Sequence, residues 1–109
     1  MQLSDKKCVP CEKWTPPLKG EVLKKYLSQL THTWELVEEK KIKHPFQFKT
    51  FKESIDFVNK VANLAENENH HPNIFITFNK VVITLTTHNI GGLSENDFIM
   101  ASKIEKILP

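Results

Sequence analysis

Two pairs of short strand-like segments, of which 42–49 and 81–87 place their side chains alternately on two faces, constrain the fold of this chain most. Residues 74–78 and 81–87 flank the dipeptide Asn79-Lys80, and residues 34–38 and 42–49 flank a charged turn. Alternation is typical of strands that bury one face, and a short connection makes two strands antiparallel neighbours. The sequence therefore predicts two β-hairpins. The residues expected on the buried face of the second hairpin are Val81, Ile83 and Leu85.

Three segments around these hairpins have helical periodicity. The first runs from Pro17, which suits the first turn of a helix, to about Leu30. The second begins at a capping box formed by Thr50 and Glu53, and the third begins after the cap residue Ser94. The residues that these two helices are predicted to bury are Phe51, Ile55, Val58, Val61, Ala62 and Ala65 in the second helix and Phe98, Ala101, Ile104 and Leu108 in the third.

The resulting order α-β-β-α-β-β-α predicts an α+β fold, with a four-stranded antiparallel sheet and helices packed mainly on one face. Pro45 lacks an amide donor, so its strand is expected at a sheet edge or bulged at that residue. The other face of the sheet carries Val82, Thr84 and Thr86, and a half-apolar face of this kind indicates a partner subunit.

Length and charge narrow the class of protein. The 109 residues are expected to form one domain, residues 1–109. The formal net charge of +2 is spread along the chain, which predicts no direct contact with nucleic acid. Apolar runs such as Ile74–Ile76 are far shorter than the ~20 residues that span a membrane, and the N-terminus has no apolar signal region. We therefore expect a cytoplasmic protein without a membrane partner.

Cys8-Val9-Pro10-Cys11 contains the only two cysteines of the chain. A redox motif of this spacing opens a helix after a strand, and no strand is predicted before it. A closed zinc site needs four ligands, and the chain has no second cysteine pair. We therefore expect residues 1–15 to be a loosely ordered N-terminal segment with reduced thiols.

Three of the five histidines, His70, His71 and His88, fall within nineteen positions. Pro72 favours extended backbone at His71, and a turn at Asn79-Lys80 would place His88 opposite His71 across the second hairpin. Imidazole gives and takes protons near neutrality and also binds metals. The sequence predicts that these histidines converge on a site for acid–base chemistry or for a metal, although any one of them can also make only local hydrogen bonds.

Two acidic residues near the histidines have two interpretations each. Glu66 is either a solvated residue on the last turn of its helix or a part of the site. Asp97 follows Ser94 by three positions, where the acid of a capping box belongs, and it can instead orient an imidazole. The sequence alone leaves both alternatives open.

The spacing Glu66-x3-His70-His71-Pro72-x5-Phe78-x9-His88-x8-Asp97 resembles the signature of pterin-4a-carbinolamine dehydratases, which are also called dimerization cofactors of a homeodomain transcription factor. The resemblance covers nearly the whole chain, and the cysteine pair before Pro16-Pro17 is similar to the compact bacterial-type members. Two positions depart from the pattern. Some members have Trp where Ile74 stands and an acid where Asn69 stands, and these changes fall on the expected rim of the pocket.

The resemblance implies dehydration of 4a-hydroxytetrahydropterin, such as 4a-hydroxytetrahydrobiopterin, to quinonoid dihydropterin and water in tetrahydrobiopterin recycling, without metal or organic cofactor. It implies that His70 and His88 act as acids toward the hydroxyl and that His71 binds the substrate and assists deprotonation. It also implies a homodimer or a homotetramer. The substrate-binding residues that it implies are Glu66, Asn69, Pro72, Ile74, Phe78 and Asp97.

Two other functions remain open at this point. A non-enzymatic dimerization module would bind a transcription factor or another protein, and it would bring in a nuclear location. A zinc enzyme would use the three histidines as ligands. The three histidines favour the dehydratase over a scaffold, and adjacent histidines in extended backbone point apart, which disfavours a shared metal.

Overall fold

A computed structural model describes residues 2–108 of the chain. The order of the main elements is the predicted α-β-β-α-β-β-α, which confirms the α+β fold. Two short 3₁₀ turns, Leu3–Asp5 and His88–Ile90, complete the secondary structure of this part of the chain. The helices and strands are α1 (Glu21–Leu27), β1 (Glu35–Val37), β2 (Lys41–Gln47), α2 (Phe51–Glu68), β3 (Asn73–Thr77), β4 (Lys80–Leu85) and α3 (Glu95–Lys106).

The four strands form one antiparallel sheet in the order β1-β2-β4-β3. One face is buried beneath α2 and α3, and the ring of Phe46 on β2 lies 5.1 Å from that of Phe57 on α2. The opposite face is open, and Phe75 on β3 is 63% exposed there. The fully buried sheet residues are Ile42, Val81, Ile83 and Leu85, as the alternation predicts for β4.

Pro45 lies in an inner strand rather than an edge strand. The pairing of β1 with β2 ends at Glu35 and Lys43, however, so β1 does not reach Pro45. On its other side Pro45 pairs with Val82 of β4. The predicted edge position therefore holds only locally: β2 is an inner strand of the sheet, but no strand pairs with Pro45 on the side of β1.

The second helix begins as predicted and buries Val61 and Ala65 as predicted, but its buried face is shifted from the predicted one. The Glu53 amide donates to Thr50 Oγ1 at 3.1 Å, and the Thr50 amide donates to Glu53 Oε1 at 3.2 Å. The prediction was wrong for Phe51, which is 52% exposed, and for Ala62, which is also exposed. Two apolar stripes run along this helix, and the one that includes the omitted Phe57 faces the sheet. Its buried residues are Ser54, Phe57, Val61, Ala65 and Glu68.

The first helix begins later than predicted, at Glu21. The Leu18 amide donates to the Leu93 carbonyl at 2.8 Å, so the chain is still extended there. Pro17 packs against Gly92 so closely that a Cβ at Gly92 would lie 2.8 Å from the Pro17 Cβ. These contacts hold residues 17 and 18 in extended backbone, where the periodicity of the sequence predicted the first helical turn.

The third helix follows its prediction more closely. It begins after Ser94, ends at Lys106 and buries Phe98, Ala101 and Ile104, while Leu108 is half-buried beyond its end. None of the helices in residues 2–108 is long and apolar enough to cross a membrane.

The N-terminal segment packs against α3. Leu3 is buried in the core, and the Lys6 ammonium lies 2.8 Å from the Glu95 carboxylate. The expectation of a loosely ordered segment over residues 1–15 did not anticipate these contacts. The segment reaches the cleft described next.

Candidate active site

The hairpin formed by β3 and β4 has a different register from the predicted one. Thr77 pairs with Lys80 and Asn73 pairs with Thr84, so the turn lies at Phe78-Asn79. Phe78 adopts a positive φ of 41°, which moves the turn back by one residue. The named pairs end at Asn73, and β4 ends at Leu85, so the predicted direct pairing of His71 with His88 is wrong.

The three histidines nevertheless lie around one cleft. Its volume is about 340 Å³, which is within the range of small-molecule sites. His70 and His71 approach it from the end of α2, and His88 approaches it from the 3₁₀ turn after β4. The convergence predicted from the sequence is therefore present, although it arises from two loops rather than from a cross-strand pair.

His70 is fixed by a buried carboxylate. Asn69 ends α2 in the left-handed conformation with φ 54°, and His70 follows it. The Nε2 atom of His70 lies 2.7 Å from Asp97 Oδ1, and Asp97 is fully buried. Since a carboxylate only accepts hydrogen bonds, Nε2 carries the proton in this contact, and Nδ1 remains available to exchange a proton.

Asp97 performs both of the roles that the sequence left open. Its second oxygen, Oδ2, accepts from the Ser94 amide at 3.0 Å, which caps α3. The same oxygen accepts from the Thr87 hydroxyl at 2.8 Å, and that hydroxyl also lies 2.8 Å from the Ser94 hydroxyl. The carboxylate that begins the helix therefore also orients His70, and the buried Thr87 beside His88 joins the same network.

His71 lies at the rim of the cleft. Its Nε2 atom is 2.5 Å from Glu66 Oε2, and the two side chains are 56% and 77% exposed. Water competes for both groups, so this contact orients the ring only weakly. Glu66 is thus both a solvated residue of the last helical turn and a partner of the site.

His88 has a third environment. It opens the 3₁₀ turn His88–Ile90, which Gly91 closes with φ 67°, and the Thr87 amide donates to the Gly92 carbonyl at 2.8 Å beneath it. His88 is exposed, and within residues 2–108 no hydrogen bond to its ring is found. The three imidazoles around the cleft therefore differ in their partners. His70 has a buried carboxylate, His71 has an exposed carboxylate, and His88 has no carboxylate partner within residues 2–108.

The other residues expected at the site are placed unequally. Asn69 lines the cleft, and Pro72 follows the two histidines as a half-buried residue. Ile74 is half-buried and packs against the hydrophobic core, whereas Phe78 is 65% exposed at the turn of the hairpin, at the opposite end of β3 from His71. Neither of these two apolar side chains lines the cleft within this chain. In the described part of the chain, no three His, Cys, Asp or Glu side chains come together as metal ligands would.

Sequence reasoning missed one whole side of the cleft. Residues 8–11 line it beside the end of α2, where the Cys8 amide donates to Glu68, and Asn96 of α3 lines it as well. Burial and the nearby Glu68 carboxylate raise the pKa of the Cys8 thiol to about 12, so this thiol stays neutral. Glu68 and Asn96 are buried and so need polar partners, but their burial is visible only in the structure, and the sequence offered no signal for this contact.

A protein-family model described as Pterin 4 alpha carbinolamine dehydratase matches residues 16–107. The chain belongs to this family. Relatives from Alkaliphilus metalliredigens and Rubrobacter xylanophilus, each 45% identical, carry the name pterin-4-alpha-carbinolamine dehydratase as a provisional assignment. The first alignment covers 95% of this chain and 94% of the relative, and the second covers 97% and 98%.

One solved structure agrees with the family assignment, and a second shares the fold. The crystal structure of a transcriptional coactivator/pterin dehydratase from Brucella melitensis matches with a TM-score of 0.79 and 33% identity, over 85% of this chain and 99% of that one. A pterin dehydratase-like protein described as a RuBisCO assembly factor in the alpha-carboxysome matches with a TM-score of 0.61 and 24% identity, over 70% of this chain and 89% of that one. At that identity the second match shows the shared fold alone.

Proposed function

We propose that this protein is a 4a-hydroxytetrahydropterin dehydratase that forms quinonoid dihydropterin and water. The observation that carries the proposal is the cleft of about 340 Å³ around which three differently partnered histidines lie, in a chain of the pterin-4a-carbinolamine dehydratase family. The substrate class is a tetrahydropterin with a hydroxyl at C4a. The physiological role that we propose for the protein is tetrahydrobiopterin recycling in the cytoplasm.

The reaction needs two proton transfers and no change of oxidation state. The C4a–O bond breaks as the hydroxyl takes a proton and leaves as water, and a ring nitrogen gives up its proton as the new double bond forms. General acid–base assistance of this kind typically contributes about 10²–10⁴-fold. Imidazoles supply both steps near neutral pH, so we assign no metal or organic cofactor to the reaction.

The different environments of the histidines support different roles. His70, whose Nε2 atom faces the buried Asp97, is proposed as the first acid toward the hydroxyl, because the carboxylate stabilises the imidazolium before it gives up its proton. His88 is exposed and is proposed as the second acid toward the hydroxyl. His71, paired with Glu66 at the rim, is proposed to bind the pterin and to assist loss of the ring proton.

The proposal is tested by turnover of freshly generated 4a-hydroxytetrahydropterin. The His70→Ala and His88→Ala single variants should each keep partial activity, because one acid remains. The double variant should lose about 10²–10⁴-fold, because acid assistance is gone. His71→Ala should mainly raise KM.

His32→Ala is the matched control, because His32 is an exposed histidine that does not line the cleft. It should turn over at the wild-type rate. Circular dichroism checks that each variant is folded. A folded double variant with wild-type turnover would contradict the proposed function.

Self-association is a further part of the proposal. The open face of the sheet exposes Phe75 and leaves Val82 half-buried, and an apolar face of this kind fits a homodimer or homotetramer. A strictly monomeric mass by light scattering at micromolar concentration would contradict it.

A dimerization module for another protein is the second candidate. The relative from Brucella melitensis, named both a transcriptional coactivator and a pterin dehydratase, favours keeping this candidate. The two functions separate cleanly, since a pure module would show no turnover with the wild-type protein.

A further inference from the structure

One side of the cleft is formed by a segment that the matched family region does not include. Cys8, Val9, Pro10 and Cys11 line the cleft together with the histidines, whereas the family match begins at residue 16. We call residues 8–11 the N-terminal strap. The function proposed above assigns it no role.

Side chains from the folded body hold the strap by its main chain. The Val9 amide donates to Asn96 Oδ1 at 3.0 Å, and Asn96 Nδ2 donates back to the Val9 carbonyl at 2.5 Å. The Cys8 amide donates to Glu68 Oε1 at 2.9 Å, while the other oxygen of Glu68 accepts from Lys103 at 3.1 Å. The two anchors are buried, with Asn96 5% and Glu68 8% exposed.

The two anchor residues of the strap lie close in the sequence to His70 and to Asp97, which orients it. Asn96 immediately precedes Asp97, and Glu68 lies two positions before His70. At the other end of the strap, Asn89 Nδ2 donates to the Cys11 carbonyl at 2.7 Å, and Asn89 follows His88. The strap is therefore fixed relative to two of the histidines by neighbouring residues of the same chain segments.

The strap offers the cleft mainly apolar groups. The Val9 amide and carbonyl are both occupied by Asn96, and Pro10 has no amide hydrogen to donate. The Cys8 thiol donates to the Asn96 carbonyl at 3.6 Å, and a neutral thiol packs as a small apolar group. The apolar groups that remain are the Val9 side chain, which is 63% exposed, the Pro10 ring and the two sulfur atoms, and the polar groups beside them are the carbonyls of Cys8 and Pro10.

A pterin has flat faces that pack on apolar surfaces and polar edges that need hydrogen bonds. We propose that the N-terminal strap is the apolar wall of the pterin site that the histidines line, and that Asn96 is the positioning residue that holds it there. This inference rests on the proposed dehydratase function. It adds a binding element outside the histidine motif.

The first test uses the wild-type protein. N-ethylmaleimide labels the half-buried Cys11, and site-resolved mass spectrometry follows the rate with and without a saturating, stable 7,8-dihydropterin, whose binding is monitored by fluorescence. The ligand should slow labelling of Cys11 about 5-fold or more, because it covers the strap. Unchanged labelling with bound ligand would overturn the wall assignment and leave the proposed function standing. Absence of both turnover and pterin binding would instead refute the proposed function.

The second test separates positioning from general stability. Asn96→Ala removes both hydrogen bonds to Val9, and we expect KM to rise about 5- to 20-fold with kcat within about 3-fold. Lys6→Ala is the matched control, because the Lys6–Glu95 pair holds the same N-terminal segment without lining the cleft. It should leave KM unchanged.

The two tests support each other. A folded Asn96→Ala variant with wild-type KM would overturn the positioning role, as would an equal rise of KM in Lys6→Ala. If Asn96→Ala does not fold, the labelling experiment still decides the wall assignment, because it needs no substitution.

Discussion

The pair formed by His70 and Asp97 joins an imidazole to a carboxylate at 2.7 Å. The pair formed by the next histidine, His71, with Glu66 joins the same groups at 2.5 Å. Their surroundings differ much more than their distances. The side chains of the first pair are 13% and 0% exposed, whereas those of the second are 56% and 77% exposed.

This difference in burial assigns different physical roles to the same contact. An exposed pair of charges contributes about 0–1 kcal/mol, because water and salt screen it. Removing one member of a buried pair costs about 3–5 kcal/mol, because the other is left without a partner. Asp97 therefore fixes the ring of His70 in one orientation, while Glu66 leaves the ring of His71 free to reorient.

Among substitutions of the carboxylates, the largest expected effect is that of Asp97→Asn. The amide oxygen can still accept from Thr87 and from the Ser94 amide, but the amide nitrogen then faces His70 Nε2 and donates to it. This arrangement forces the opposite tautomer on His70. We expect the free energy of unfolding to fall by about 3 kcal/mol and kcat to fall about 10-fold or more.

Urea denaturation and steady-state kinetics check these two effects separately. Thr87→Val is the companion variant, since it removes one donor to Asp97 without contacting His70. It should lower stability but leave kcat less affected than Asp97→Asn does. Equal losses of kcat in the two variants would show that the tautomer of His70 is not what Asp97 controls.

The same comparison shows what the sequence could predict. Local signals were reliable where the determining contact is local, as at Ser94 and Asp97, whose spacing predicts the cap. The register of the second hairpin was wrong because Phe78 adopts a left-handed conformation that its residue type does not announce. The faces predicted for β4 were still right. The observed pairing differs from the predicted one by two residues, and side chains alternate between the faces of a strand with a period of two.

The N-terminal strap lay beyond sequence reasoning for a different reason. Val9 is bound by Asn96, which is 87 positions away along the chain. No periodicity or spacing within residues 1–15 indicates such a contact. The start of α1 was misplaced for a related reason, since the Leu18 amide is taken by Leu93.

A third carboxylate, that of Glu68, shows that a buried carboxylate need not pair with a histidine. Glu68 is buried, yet its partners are Lys103 and the Cys8 amide. Burial raises the pKa of Glu68, but these two hydrogen-bonding partners outweigh burial and hold the pKa below its ordinary value of 4.5. A carboxyl with a lowered pKa in the folded state stabilises that state above the unfolded pKa and loses this contribution as pH falls through the folded pKa.

Glu68→Gln should therefore lower stability by about 1–2 kcal/mol at pH 7, a smaller loss than that of Asp97→Asn. The difference from wild type should shrink as pH falls below about 4.5. Urea denaturation of both proteins at pH 7 and pH 3.5 measures it. A difference that grows on acidification would show that Glu68 is not held in its charged form by Lys103 and Cys8.

The smallest expected effect is that of Glu66→Gln. The Gln side chain keeps the length of Glu and can still reach His71, while water solvates both exposed groups. We expect the stability to change by no more than about 0.5 kcal/mol and kcat/KM by about 2-fold, the latter only at low salt, where exposed charges are least screened. Kinetics at low and high ionic strength measure this directly. A loss of kcat comparable to that of Asp97→Asn at both ionic strengths would remove the distinction between the two pairs, because it would mean that the exposed carboxylate controls its histidine as firmly as the buried one.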